Sequence, residues 1–140
     1  MFSFRPRLQS IVHASLVAAA LLSIPSSASA QQAAQQAGLA GNWSGGGTMV
    51  LSSGNSEKVR CRATFRLIGN GATMSAICAN ATARIIQTAD LTRVSAGRYI
   101  GDFTNAEYGI TGSIRITQTG NSLSAALAGG GGSASINLSR

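Results

Sequence analysis

From residue 39 onward the apolar residues recur with period two. Between Lys58 and Leu67, Val59, Cys61, Ala63, Phe65 and Leu67 alternate with Lys58, Arg60, Arg62, Thr64 and Arg66. Successive side chains of a strand leave opposite faces, so this alternation predicts a strand with one buried and one wet face. The same spacing joins Tyr108, Ile110, Gly112, Ile114 and Ile116, then Leu123, Ala125 and Leu127, then Ala134, Ile136 and Leu138. No stretch here carries a helical stripe. The dipeptide Gly-Asn recurs at 54–55, 69–70 and 120–121, and it marks two-residue hairpin turns. Counting outward from Gly69-Asn70 sets Ile68 opposite Gly71, Phe65 opposite Met74 and Cys61 opposite Cys78. Cys61 and Cys78 then form a non-hydrogen-bonded pair, the closer of the two antiparallel kinds, within disulfide reach. Gly120-Asn121 likewise sets Ile116 opposite Ala125 and Ile114 opposite Leu127. Gly54-Asn55 pairs Val50 with Val59 but leaves Met49 and Leu51 on the other face, which points to a longer loop. Eight strands are predicted, over 43–52, 57–68, 71–79, 82–92, 97–103, 108–118, 122–128 and 133–139. The fold class is all-β and antiparallel: an up-and-down, calycin-like barrel or a flattened sandwich. The barrel is preferred because closure removes exposed edges.

The N-terminus follows another pattern. Arg5 and Arg7 precede an apolar run from Ile11 to Ile24, then Pro25 and the small residues Ser26-Ser27-Ala28-Ser29-Ala30. That order is a secretory signal peptide over 1–30, with cleavage expected between Ala30 and Gln31. The run is too short to read as a spanning helix, and no Cys near the cut offers a lipid-attachment site. Residues 31–38, polar and low in complexity, read as a flexible leader, and 39–140 as a single β domain. Cleavage would remove the one histidine, His13, and both prolines, Pro6 and Pro25. An exported chain meets an oxidising compartment, so Cys61 and Cys78 are expected as a disulfide. The chain-entropy model gives a bridge of that span about 3 kcal/mol. The bridge matters because strong apolar residues are few after residue 30: seven Leu, nine Ile, three Val and two Phe.

Charge and residue inventory narrow the chemistry. The formal charge of +7 falls to +5 once Arg5 and Arg7 leave. Without histidine, neither a Ser-His-Asp nor a Cys-His site can form. Two lone cysteines are a poor zinc site, and no metal or other cofactor is expected. Gly45-Gly46-Gly47 and the run 129–132 lack the Lys-Ser/Thr of a phosphate loop and read as bends or loops. The acids are Glu57, Asp90, Asp102 and Glu107. Asp102 and Glu107 flank one hairpin, the geometry a carboxylate-based hydrolase would need; the plainer reading has them solvating that loop or pairing with Arg98. The sharpest feature is the row Lys58, Arg60, Arg62 and Arg66, all on one face of one strand. It reads either as a solvated face or as a contact surface for an anionic partner: lipopolysaccharide, an acidic polymer or an acidic protein patch. The five aromatics after residue 30 are Trp43, Phe65, Tyr99, Phe103 and Tyr108. They are fewer than a ligand-binding barrel usually lines its pocket with and scarce for base stacking on nucleic acid; the basic row and the terminal Ser139-Arg140 argue against the aromatic girdles and apolar band of an outer-membrane barrel.

Two resemblances carry further. Leu39-Ala40-Gly41-Asn42-Trp43, followed by two cysteines within the next three strands, resembles the opening of bacterial periplasmic metalloprotease inhibitors. That likeness implies a small disulfide-bonded eight-stranded barrel whose N-terminal segment enters a protease cleft. More of the chain is similar to a group of small exported proteins of alphaproteobacteria. The likeness runs through Trp43-Ser44-Gly45-Gly46-Gly47, Arg60-Cys61-Arg62-Ala63, Glu107-Tyr108-Gly109-Ile110, and Ser133-Ala134-Ser135 to Ser139-Arg140, and it implies export without an activity. The expected function is that of a non-catalytic binding module of the bacterial envelope, periplasmic or secreted and not membrane-integral. Its partner would be an anionic envelope component or an exported protein. A protease inhibitor is the first alternative and the hydrolase the second.

Overall fold

Period-two patterning yields eight strands in the computed structural model, which describes residues 38–140. They are β1 (Gly41–Val50), β2 (Ser56–Ile68), β3 (Gly71–Ala79), β4 (Arg84–Ser95), β5 (Arg98–Asn105), β6 (Ile110–Thr119), β7 (Ser122–Gly129) and β8 (Gly132–Ser139). Each pairs antiparallel with its chain neighbours, and β1 also pairs with β8, so the sheet closes into a barrel. The signal peptide, His13 and residues 31–37 of the leader lie outside the described residues. Gly38, the last residue assigned to the leader, is buried beside Leu39.

Two hairpins have the register that their turns dictate. Ile68 faces Gly71, Phe65 faces Met74 and Cys61 faces Cys78; Ile116 faces Ala125 and Ile114 faces Leu127. Gly69 and Gly120 take positive φ (54° and 59°), and among the described residues none other than glycine does. Glycine alone in the left-handed region at the first turn position is the type II′ arrangement, whose twist suits a hairpin. Cys61 and Cys78 form the disulfide, with Cα atoms 4.1 Å apart. The count at Gly54-Asn55 does not hold. Val50 faces Ser56 and Val59 faces Gly47, because the loop spans 51–55, closed by Leu51 N–H to Asn55 O and Gly54 N–H to Leu51 O. Met49 therefore points inward and packs on the core. Tyr108 is a second departure: it lies in the loop before β6, 53% exposed.

The lumen is apolar and the outer wall mostly polar, with Ile77, Ile86 and Ile100 exposed among its polar residues. Val59, Cys61, Ala63 and Phe65 are buried while Lys58, Arg60, Arg62, Thr64 and Arg66 are exposed. The Gly45-Gly46-Gly47 run is an ordinary part of β1, not a bend. A Cβ on Gly47 would meet the Ser135 carbonyl oxygen at 1.9 Å, so only glycine lets β8 approach this closely.

The up-and-down order puts loops 51–55, 80–83, 106–109 and 130–131 at one end of the barrel. Residues 38–40, Arg140 and the other three turns lie at the opposite end. That end is closed. Leu39 is fully buried and Trp43 is 2% exposed. The Trp43 indole Nε1–H donates to the Leu39 carbonyl at 2.9 Å. Arg140 covers the outside: its guanidinium carbon lies 4.4 Å from the Trp43 ring centroid, and Nη1 donates to the Ala40 carbonyl at 2.8 Å. A cation over an indole and a charge-assisted bond are each of order 1 kcal/mol at a partly exposed site. Replacing Arg140 by Ala should therefore cost about 1–2 kcal/mol, read as a lower urea midpoint with an unchanged m-value.

Candidate functional site

Strand β2 sets the site. Its outward side chains are Lys58, Arg60, Arg62, Thr64 and Arg66, since Val59, Cys61, Ala63 and Phe65 must face the lumen. The strands on either side offer these cations nothing of opposite charge. On β1 the partners of Lys58, Arg60 and Arg62 are Thr48, Gly46 and Ser44. On β3, Arg60 faces Ala79 and Arg62 faces Ile77. One strand further, Arg84 of β4 faces the other side of Ala79, as Ile86 does of Ile77. Arg60 and Arg84 thus flank an alanine on one rung, about 10 Å apart at Cα from two interstrand spacings. The surface between them is a groove of about 1340 Å³, lined by Gly46, Lys58, Arg60, Arg62 and Arg84 among others. Gly46 has no side chain to fill it. The acid next in sequence, Glu57, accepts a hydrogen bond from Asn80 Nδ2. Asn80 also shapes the β3–β4 turn: its Oδ1 accepts from Thr82 N–H at 2.9 Å and Ala83 N–H at 2.7 Å.

The predicted row is therefore divided. Lys58, Arg60 and Arg62 line the groove; Arg66 does not. Arg66 shares a separate depression with Asp90 and Asp102, on a rung that runs from Arg66 through Thr73 to Asp90 and Asp102. Arg84 replaces it in the groove. The β2 alternation has no information on Arg84; a hairpin count about residues 80–83, which sets Ala79 opposite Arg84, would have found it. The carboxylate facing Asp102 across the β4–β5 ladder is Asp90, while Glu107 sits in the exposed 106–109 loop at the barrel end. Among the described residues no group of three or more His, Cys, Asp or Glu side chains is placed to hold a metal ion.

No protein-family model matches the chain, and no curated protein matches it. Among solved structures, the chain is similar to a redesigned β-barrel, with a TM-score of 0.61 and 14% sequence identity. The match covers 76% of this chain and 94% of that one. At that identity the likeness is one of fold: an antiparallel β-barrel.

Proposed function

We propose that this protein is an exported, non-catalytic binding module that holds an anionic component of the bacterial envelope on the outer wall formed by β1 to β4. The observation that carries the reading is the groove between Arg60 and Arg84: four cations around a surface whose cross-strand neighbours are Gly, Ala, Ser, Thr and Ile. Unopposed like charges raise each other's electrostatic energy, and an anion relieves that cost. Groups such as phosphates suit the forked donors of arginine. The charged outward positions of β2 support a barrel that works in water rather than within the bilayer, since a membrane barrel needs a continuous apolar outer band. The disulfide supports an oxidising compartment, and the signal-peptide pattern narrows that to the periplasm or the exterior.

The test is retention of the purified protein on lipopolysaccharide or on anionic vesicles, measured against salt. The Debye length falls from ~10 Å at 0.1 M to ~3 Å at 1 M, so retention should fall steeply over that range. The triple variant Arg60→Ser, Arg62→Ser, Arg84→Ser should lose retention at low salt while its melting curve stays near that of the parent, because exposed substitutions typically stay within ~0.5 kcal/mol each. Arg66→Ser should have little effect on retention. Equal retention by parent and triple variant would reduce the cations to a solvated surface.

A further inference from the structure

We infer that the open end of the barrel is a second binding site, which takes a small, neutral, largely apolar molecule carrying one hydrogen-bond acceptor for Asn105 Nδ2. The inference is independent of the outer groove. It starts from the uneven filling of the lumen. The largest fully buried side chains are Trp43, Phe65, Leu39, Ile114, Ile116 and Asn105; Leu39 and Trp43 plug the closed end, and Asn105 is the one at the open end. Toward the open end the inward positions of β7 and β8 are the small residues Gly129, Gly132 and Ala134; the Phe103 ring packs against Gly129 and the β1 backbone against Gly132. Together with the mouth loops they line a cavity of about 310 Å³, at the lower end of the range of ligand pockets.

The lining sets the chemistry of the occupant. Met49, Val59, Ile85, Phe103, Ile110 and Leu127 supply apolar walls, and among the described residues no Lys, Arg, Asp or Glu lines the cavity. A charged ligand would lose its hydration without a counter-charge, which is costly; a neutral one would not. The apolar wall is broken by two amides, Gln87 and Asn105, and by the serines Ser52, Ser53 and Ser133. The amides are neighbours: the β4–β5 ladder pairs Thr88 with Thr104, and one step further brings Gln87 opposite Asn105. Asn105 is the buried polar side chain of the barrel, 2% exposed. Its Oδ1 accepts from Tyr108 N–H at 3.2 Å, which fixes the amide orientation because a backbone N–H needs an acceptor. Among the described residues Nδ2 has no acceptor, and no side-chain atom there is both fully buried and unpaired. Nδ2 therefore keeps some accessible surface, and Asn105 lines the cavity. A donor in an apolar lining calls for an acceptor there, which a carbonyl on the ligand supplies. A cavity of this size suits an occupant on the order of ten to fifteen non-hydrogen atoms.

The experiment titrates the oxidised protein with a neutral dimethylaminonaphthyl ketone, a dye whose emission shifts to the blue in apolar surroundings. Saturable binding of one dye per chain is expected. Acetylnaphthalene should displace it, and naphthoate, similar in size but charged, should not. Ala134→Leu fills the cavity from β8 and should weaken dye binding at least tenfold while the protein stays folded by circular dichroism. Asn105→Asp keeps the acceptor for Tyr108 N–H and removes the Nδ2 donor; it should weaken binding severalfold. The variant with Arg60, Arg62 and Arg84 changed to Ser should bind dye as the parent does, so failure at the groove and failure at the mouth are separable. Absence of saturable binding, displacement by naphthoate as effective as by acetylnaphthalene, or undiminished binding to folded Ala134→Leu would each overturn the proposal.

Discussion

Replacing Trp43 by Ala should destabilise the barrel by about 3–5 kcal/mol, the range for removing a large buried aromatic. Three effects add. The indole is the largest side chain in the closed end and is almost fully buried, so its loss opens a void beneath Leu39. The Leu39 carbonyl loses the indole N–H that satisfied it. Arg140 loses the ring it covers and with it part of its hold on Ala40. Small domains have only about 5–15 kcal/mol of net stability, and few large apolar residues remain elsewhere to offset the loss. The variant should be substantially unfolded at 37 °C. Trp43→Phe separates the contributions: it retains an aromatic face for Arg140 and loses the N–H donor, and should cost about 1–2 kcal/mol. Trp43 is the chain's one tryptophan, so urea unfolding must be followed by circular dichroism rather than by tryptophan emission. A midpoint shift for Trp43→Ala no larger than that for Arg140→Ala would contradict this account of the closed end.

The parts of the barrel written in the sequence are those with a local cause. β2 and β3 are fixed by alternation, and their register by a glycine that takes positive φ at the first turn position. The cysteine pair then falls where the ladder brings Cα atoms close. The same logic failed at residues 49–51 for a physical reason. Met49, Val50 and Leu51 are all apolar, so either face can be buried and alternation cannot choose; a five-residue loop closed by its own backbone bonds chose for them. Tyr108 continues the period of Ile110 and Gly112, but Asn105 accepts its N–H and closes a turn, which moves it out of β6.

The candidate groove shows the same division. Lys58, Arg60 and Arg62 share a face because they share a strand. Arg84 joins them only through two successive registers, and Arg66 leaves them because the β3–β4 and β4–β5 ladders carry Asp90 and Asp102 to its rung. The open-end cavity is less legible still. Its lining comes together only through the closed ladder and the mouth loops, and Asn105 at a strand end reads in the sequence as a turn former.

Removing the disulfide should cost about 3 kcal/mol, as the chain-entropy model gives for a loop of seventeen residues' separation. The doubly substituted Cys61→Ala, Cys78→Ala protein tests this without leaving thiols that can reoxidise. For a domain of about a hundred residues each kcal/mol moves the melting temperature by roughly 4–8 °C, so a fall of more than 10 °C is expected. The contribution belongs mainly to the unfolded chain, which the bridge holds compact, and the Cys61–Cys78 pair already sits at native ladder positions. The substituted protein, where folded, should therefore keep its β-sheet circular dichroism and show a larger urea m-value, because its unfolded state exposes more surface. The parent in excess reductant should melt near the double variant. Cys78 also lines the open-end cavity, so the double variant is expected to shift dye affinity as well, through the lining sulfur it removes. A melting temperature within a few degrees of the oxidised parent would mean that loop closure is not where this thin-cored barrel gains its stability.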